Sequence, residues 1–201
     1  MNVSRDSGSK KIFLRTLKKI SKKSFVPITA GGWVKNNNDI KNLLKNGADK
    51  VVINTNAFKN HTLIKLASKE FGAQCIIISI DVKKIKKKYK VFIDRGRLNT
   101  NTNLEDWIKK INNFNIGELY ISSIDKDGTR QGYDYDLYKF VKTKTKKPIV
   151  AFGGLGEWSQ IEKLFKLTNI SAAAGANIYH YIENSATKAK EYLKSKKINL
   201  R

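Results

Sequence analysis

Two stretches of this chain repeat one another in a single register. PITAGG at 27–32 is answered by PIVAFGG at 148–154, and the runs that follow, DIKNLLKNGADKVVINTNAF and QIEKLFKLTNISAAAGANIY, match as well. Pro148 lies 121 positions after Pro27, Ile161 lies 121 after Ile40, and Asn177 lies 121 after Asn56; Gly153 lies 122 after Gly31 because one residue is inserted. The same spacing sets Asp6 of VSRDSG (3–8) against Asp127 of IDKDGT (124–129). A register shared by several elements requires duplicated units, so the fold must be one that two copies of a half can build.

The units themselves are legible. Runs rich in β-branched residues occur at VPIT (26–29), KVVIN (50–54), CIIISI (75–80), ELYISSI (118–124), KPIVAF (147–152) and ISAAA (170–174). Continuous apolar runs mark strands covered on both faces, as in parallel sheets. Between them lie residues at helical spacing: Ile40, Leu43 and Leu44 with Asn38 as a candidate cap; Leu63, Ile64, Ala67 and Phe71; Leu104, Trp107, Ile108 and Ile111; Ile161, Leu164 and Phe165. Both prolines are expected to open strands, and strand and helix alternate to the end in a βαβ series with right-handed crossovers. Three βα units on each side of the ISIDV strand describe a (β/α)8 TIM barrel made of duplicated half-barrels. The counterpart of Asp81 falls upstream of Met1, so the expected domain is residues 1–201 as a single incomplete barrel, running from the end of a second strand to an eighth helix and truncated at its N-terminus.

Composition narrows the partners. Lys and Arg number 40 against 17 acidic residues, a net +23, which by itself points to a polyanion. Only Arg5, Arg15, Arg95, Arg97, Arg130 and Arg201 carry the guanidinium fork suited to nucleic-acid recognition, and the lysines are spread along the chain, so no nucleic acid is expected. No apolar run approaches the ~20 residues of a membrane span and MNVSRDSGSKK lacks an apolar leader stretch, so a cytoplasmic protein without a membrane partner is expected. Cys75 reads as a buried small hydrophobe, and His61 and His180 lie too far apart in a setting too poor in ligands to suggest a metal; no cofactor is expected either.

In barrels of this kind the chemistry sits where strands end. Gly31 and Gly32, Asn54 and Thr55, Gly128 and Thr129, and Gly153 and Gly154 occupy those ends, with the GAN loop (175–177) as a fifth; glycine admits an anion to the backbone N–H groups while Asn and Thr add donors. By the repeat, Gly32 with Asn54 and Gly154 with Asn177 are expected to form two mirrored phosphate pockets across one mouth, suiting a small substrate with a phosphate at each end. Asp81 closes the most apolar strand, a costly place for a carboxylate, and is the candidate general acid or base. Asp125 and Asp127, at alternate positions, are expected to point the same way and to bind hydroxyls or help proton transfer, with Asp127 as a substrate-binding candidate. Lys83 to Lys90 reads as a solvated hairpin covering the site, with Tyr89, Val91 and Ile93 alternating in its second arm.

PITAGG, GADKVVINT, FGAQCIIISIDVK, GELYISSIDKDGTRQGYD and PIVAFGG together resemble the cyclase subunits of imidazole glycerol phosphate synthases and their relatives in surface-polysaccharide gene clusters. The resemblance implies a (β/α)8 lyase that takes ammonia from a glutaminase subunit in a heterodimer. It would convert a phosphoribulosyl aminoimidazole carboxamide nucleotide into imidazole glycerol phosphate and aminoimidazole carboxamide ribotide, a step of histidine biosynthesis. It places Asp81 on the second catalytic aspartate, Asn54 and Thr55 on one phosphate site, and Gly128, Gly154, Ala176 and Asn177 on the other. It also places Lys50 and Glu118 on an ammonia gate at the barrel floor. Nothing here matches the family's first catalytic aspartate, Trp33 stands at a usual third glycine, and Asn101 and Asn177 replace a usual Gly and Ser. The alternatives are amidination of a polysaccharide sugar and a non-catalytic barrel that binds a phosphorylated ligand.

Overall fold

The computed structural model describes residues 9–181 and 185–198. Asp6, the repeat partner of Asp127, lies outside the described residues. The elements run α1 (Ser9–Ser21), β1 (Thr29–Gly31), α2 (Asn37–Lys45), β2 (Lys50–Ile53), α3 (Thr55–Lys59), α4 (His61–Phe71), β3 (Ile76–Ile85), β4 (Lys88–Ile93), β5 (Leu98–Asn103), α5 (Leu104–Asn112), β6 (Glu118–Ser123), α6 (Tyr135–Lys144), β7 (Ile149–Phe152), α7 (Trp158–Thr168), β8 (Ala172–Ala174), α8 (Ile178–Tyr181) and α9 (Ser185–Ser195). Six strands form a parallel sheet in the order β1-β2-β3-β6-β7-β8, the order a βα barrel requires. Among the described residues β1 and β8 each pair on one side only.

Register sorts the strand residues onto two faces. Val51, Ile53, Ile76, Ile78, Ile80, Leu119, Ile121, Ile149 and Ala151 face the helices and are buried. The opposite face carries Lys50, Val52, Ile77, Ser79, Asp81, Glu118, Tyr120, Ser122, Val150 and Phe152. That face is concave: Lys50 on β2 forms an ion pair with Glu118 on β6, across the intervening β3 and so over two inter-strand spacings of about 5 Å each. Both residues start their strands, which puts the pair at the N-terminal end of the barrel axis.

The helices pack their apolar stripes on the outer face. In α5 the stripe is Leu104, Trp107, Ile108 and Ile111, all buried, and Trp107 meets Phe58 at 4.9 Å between ring centroids, His61 at 5.4 Å and Phe114 at 6.3 Å. His61 is thereby a packing residue of the outer layer. The cap of α2 is Asn36 rather than Asn38: the Asn36 side chain accepts from the Asp39 N–H while Asp39 accepts from the Asn36 N–H, a reciprocal capping box. Pro27 does not open a strand directly. Ile28 is fastened first, its N–H donating to the Asp49 carboxylate at 2.7 Å, and β1 begins at Thr29. Cys75 is only partly buried, packed against the core at the start of β3. Among the described residues no helix is long and apolar enough to cross a membrane.

One element goes beyond the alternating pattern. β3 runs past the barrel rim to Ile85 and turns back through β4, which pairs with β5. Lys83–Lys90 is therefore a hairpin as expected; residues 98–103 continue it as a third strand, and Val91, Phe92 and Ile93 are all buried instead of alternating.

Candidate active site

Asp81 stands on the concave face at the C-terminal end of the barrel portion of β3, paired in register with Ser122. Burial pushes its carboxyl up from an ordinary 3.8 to about 6; hydrogen bonds from the Asn54 side chain and the Gly96 N–H oppose the shift, and the charge of Asp127 adds to it. A carboxyl near 6 populates both protonation states near neutral pH, which is what a proton-transfer group needs.

The loops after β6, β7 and β8 close around a hollow lined by Asp127, Gly128, Arg130, Phe152, Gly153, Gly154, Leu155, Gly175, Ala176 and Asn177. Backbones meet here too closely for side chains. Gly154, at φ +96°, has the Gly132 carbonyl oxygen 2.1 Å from where a Cβ would stand, and the Gly132 N–H donates to the Gly154 carbonyl at 2.8 Å. Glycine is required at that crossing by its conformation and by its lack of a side chain. Gly128, Gly153, Gly154, Ala176 and Asn177 are thus brought together at one hollow, with Asp127 beside them.

Three expectations change. Asp125 and Asp127 diverge, because β6 ends at Ser123 and the Lys126 and Asp127 N–H groups both turn onto the Ser123 carbonyl, which ends the two-residue alternation. Asp125 instead accepts from the Lys84 N–H at 2.8 Å and pins the hairpin. Thr129 does not line the hollow: its hydroxyl donates to the Lys126 carbonyl at 2.8 Å and accepts from the Gln131 N–H, closing its own turn.

The mirrored pocket around Gly31, Gly32, Asn54 and Thr55 is not built as the repeat suggests. Gly31 is buried against β2, with the Val52 carbonyl oxygen 2.6 Å from a Cβ position. Asn54 faces Ser79, at 3.4 Å, and Asp81. Thr55 accepts from the Asp94 N–H at 3.0 Å. Asn56, the repeat partner of Asn177, donates to the Val34 carbonyl at 2.5 Å. The tip of the β4–β5 hairpin also lies over this side: residues 94–97 contribute the Asp94 and Gly96 N–H groups to Thr55 and Asp81. Gly32 and Trp33 follow β1 with φ of +117° and +62°, so Trp33 holds a backbone conformation that glycine adopts freely.

Several residues at the site were not singled out from sequence: Ser79, Tyr120 and Phe152 on the concave wall, Gly96 at the hairpin tip, and Arg130 beside the hollow. The first three were available from alternation along β3, β6 and β7, read as an inner face; Gly96 was not, since its role depends on how the hairpin folds back.

Comparison with known proteins gives a consistent result. The histidine biosynthesis protein family, His_biosynth, matches residues 6–184. The imidazole glycerol phosphate synthase subunit HisF of Clostridium botulinum (strain Langeland / NCTC 10281 / Type F) is 36% identical over 203 residues, covering 100% of this chain and 80% of the relative. The HisF of Endomicrobium trichonymphae is 40% identical over 186 residues, covering 92% and 71%, and that of Metallosphaera sedula 36% over 201 residues, covering 100% and 80%.

Proposed function

Because the chain belongs to the histidine biosynthesis protein family, we propose that it is the cyclase subunit of an imidazole glycerol phosphate synthase. It uses ammonia from a glutaminase partner to convert the phosphoribulosyl aminoimidazole carboxamide nucleotide into imidazole glycerol phosphate and aminoimidazole carboxamide ribotide, as part of a cytoplasmic heterodimer. The observation that carries the reading is the juxtaposition at one barrel mouth of a carboxyl poised near 6 and a glycine-built hollow suited to a phosphate.

Asp81 is the proton-transfer group. Asn54 and the Gly96 N–H orient it, and its raised pKa lets it donate or accept without a large driving-force penalty. Gly128, Gly153, Gly154, Ala176 and Asn177 hold one phosphate, with Arg130 adjacent to supply charge. Asn54 and Thr55, with Gly31 and Gly32, serve the other end of the substrate, Thr55 accepting from the Asp94 N–H while its O–H is directed to a phosphate oxygen. The Lys50–Glu118 pair closes the axis at the N-terminal end, where ammonia from the partner enters.

The test is turnover of the nucleotide with ammonium as nitrogen donor, by the chain together with any encoded upstream segment. Asp81→Asn is expected to lower the rate about 10² or more. Absence of product from the wild type, with phosphorylated ligand still bound, would favour the non-catalytic barrel.

A further inference from the structure

The concave wall carries one large polar side chain that the proposed chemistry leaves unused. Tyr120 pairs in register with Ser79 on β3, two residues before the level at which Asp81 pairs with Ser122. Its other neighbour in register is Val150 on β7. Its ring lies 5.5 Å from that of Phe152, at an interplanar angle of 31°, and Phe152 lines the hollow beside Gly153 and Gly154. Tyr120 therefore stands between the acid and the anion hollow, about 7 Å down the wall from the rim by strand rise. Burial, then the charges of Asp127 and Asp81, hold its phenol above the ordinary value, so it is a neutral donor at working pH.

The neighbouring tyrosines spend their hydroxyls within the protein. Tyr133 donates to the Ala174 carbonyl at 2.9 Å and Tyr138 to the Phe152 carbonyl at 2.7 Å. The Tyr120 hydroxyl has no hydrogen-bond partner among the described residues. A phenylalanine would stack on Phe152 equally well, so what the tyrosine adds is its hydroxyl, a donor on the wall of the mouth that no side chain or backbone carbonyl of the described residues takes up.

We infer that Tyr120 is a substrate-binding residue: its ring and Phe152 form a platform for the planar heterocyclic part of a phosphorylated substrate, and its hydroxyl donates a hydrogen bond to that part beside Asp81. The inference rests on the cyclase reading for the identity of the heterocycle. It assigns the concave wall a role in recognising the middle of the substrate, while the hollow holds an end.

The experiment compares wild type, Tyr120→Phe and Tyr120→Leu in the full chain, measuring calorimetric binding of aminoimidazole carboxamide ribotide, ammonium-driven turnover and melting temperature. Tyr120→Phe is expected to melt as the wild type does, to bind the ribotide about tenfold more weakly, the equivalent of one hydrogen bond, and to keep the pH limb near 6 that belongs to Asp81. Tyr120→Leu, which also removes the platform, is expected to bind more weakly still. Tyr120→Phe binding as tightly as wild type overturns the inference and leaves the cyclase reading intact. A wild type that binds the ribotide in a Tyr120-dependent way but makes no product overturns the cyclase reading and keeps the inference. A wild type that does not bind the ribotide overturns both.

Discussion

Asp81 works against the stability of the fold that carries it, and that is measurable. In the native state its carboxyl titrates at about 6, against an ordinary 3.8. In the unfolded chain the proton leaves first as pH rises, so folding takes up a proton between those values. Native stability is then whole at low pH and is lost as pH rises through about 6. The linkage integral gives a cost of roughly 3 kcal/mol at pH 8 and roughly 1.6 kcal/mol at pH 5, at 1.36 kcal/mol per unit. Asp81→Asn removes the titration while leaving an oxygen that accepts from the Gly96 N–H. The variant should therefore gain on the wild type by about 1.4 kcal/mol more at pH 8 than at pH 5.

Urea denaturation of both proteins at pH 5 and pH 8, at fixed ionic strength, reads that difference directly, because other titrating groups cancel between variant and wild type. A variant whose advantage is equal at the two pH values, or which is less stable at pH 8, would refute the claim that Asp81 is held in a desolvated site. Paired with a fall in turnover of about 10² or more, the expected gain identifies a group kept for chemistry at the expense of stability.

Three further outcomes follow from the same geometry. Gly154→Ala places a Cβ 2.1 Å from the Gly132 carbonyl oxygen at φ +96°, and should cost about 2 kcal/mol or more, a melting temperature about 4–8 °C lower, with weakened phosphate binding by calorimetry. Trp107→Ala opens the packing among Phe58, His61 and Phe114 and should cost about 3–5 kcal/mol in urea denaturation, with little change in ligand affinity in the folded fraction. Lys50→Met breaks the ion pair with Glu118 at the barrel floor, and glutamine-driven turnover with the glutaminase partner should change by about fivefold more than ammonium-driven turnover; equal changes would remove the pair from the ammonia route.

What the sequence made legible was what repeats. The pairing of PITAGG with PIVAFGG and the continuous apolar strands required βα units in parallel order, and the structure has six such strands in that order. Asp81 was legible for a different reason: a carboxylate closing IIISI contradicts the burial around it, and such a contradiction signals function. The inner wall was harder, because in ELYISSI and PIVAF both faces are covered, so the alternation that would expose Tyr120 and Phe152 as inward residues is masked by apolar neighbours. Asp125 and Asp127 were misjudged by extending a strand's alternation one turn past its end.

The asymmetry of the mouth is the part that symmetry reasoning could not reach, and it carries a functional consequence. Asn177 lines an open hollow, while its repeat mate Asn56 is spent on the Val34 carbonyl. Thr55 accepts from the Asp94 N–H, and Asn54 is turned to the acid. All three engagements lie on the side reached by residues 94–97, the tip of the hairpin that follows Asp81. A ligand with two phosphates then meets one open hollow and one side over which the hairpin tip lies. Binding at the second side meets residues 94–97, and the same tip supplies the Gly96 N–H that holds Asp81. A ligand that shifted residues 94–97 would act on Asp81 as well. Loss of the Gly96 hydrogen bond, which now lowers the Asp81 pKa, would raise it further and favour the protonated, donating form when the substrate is fully seated.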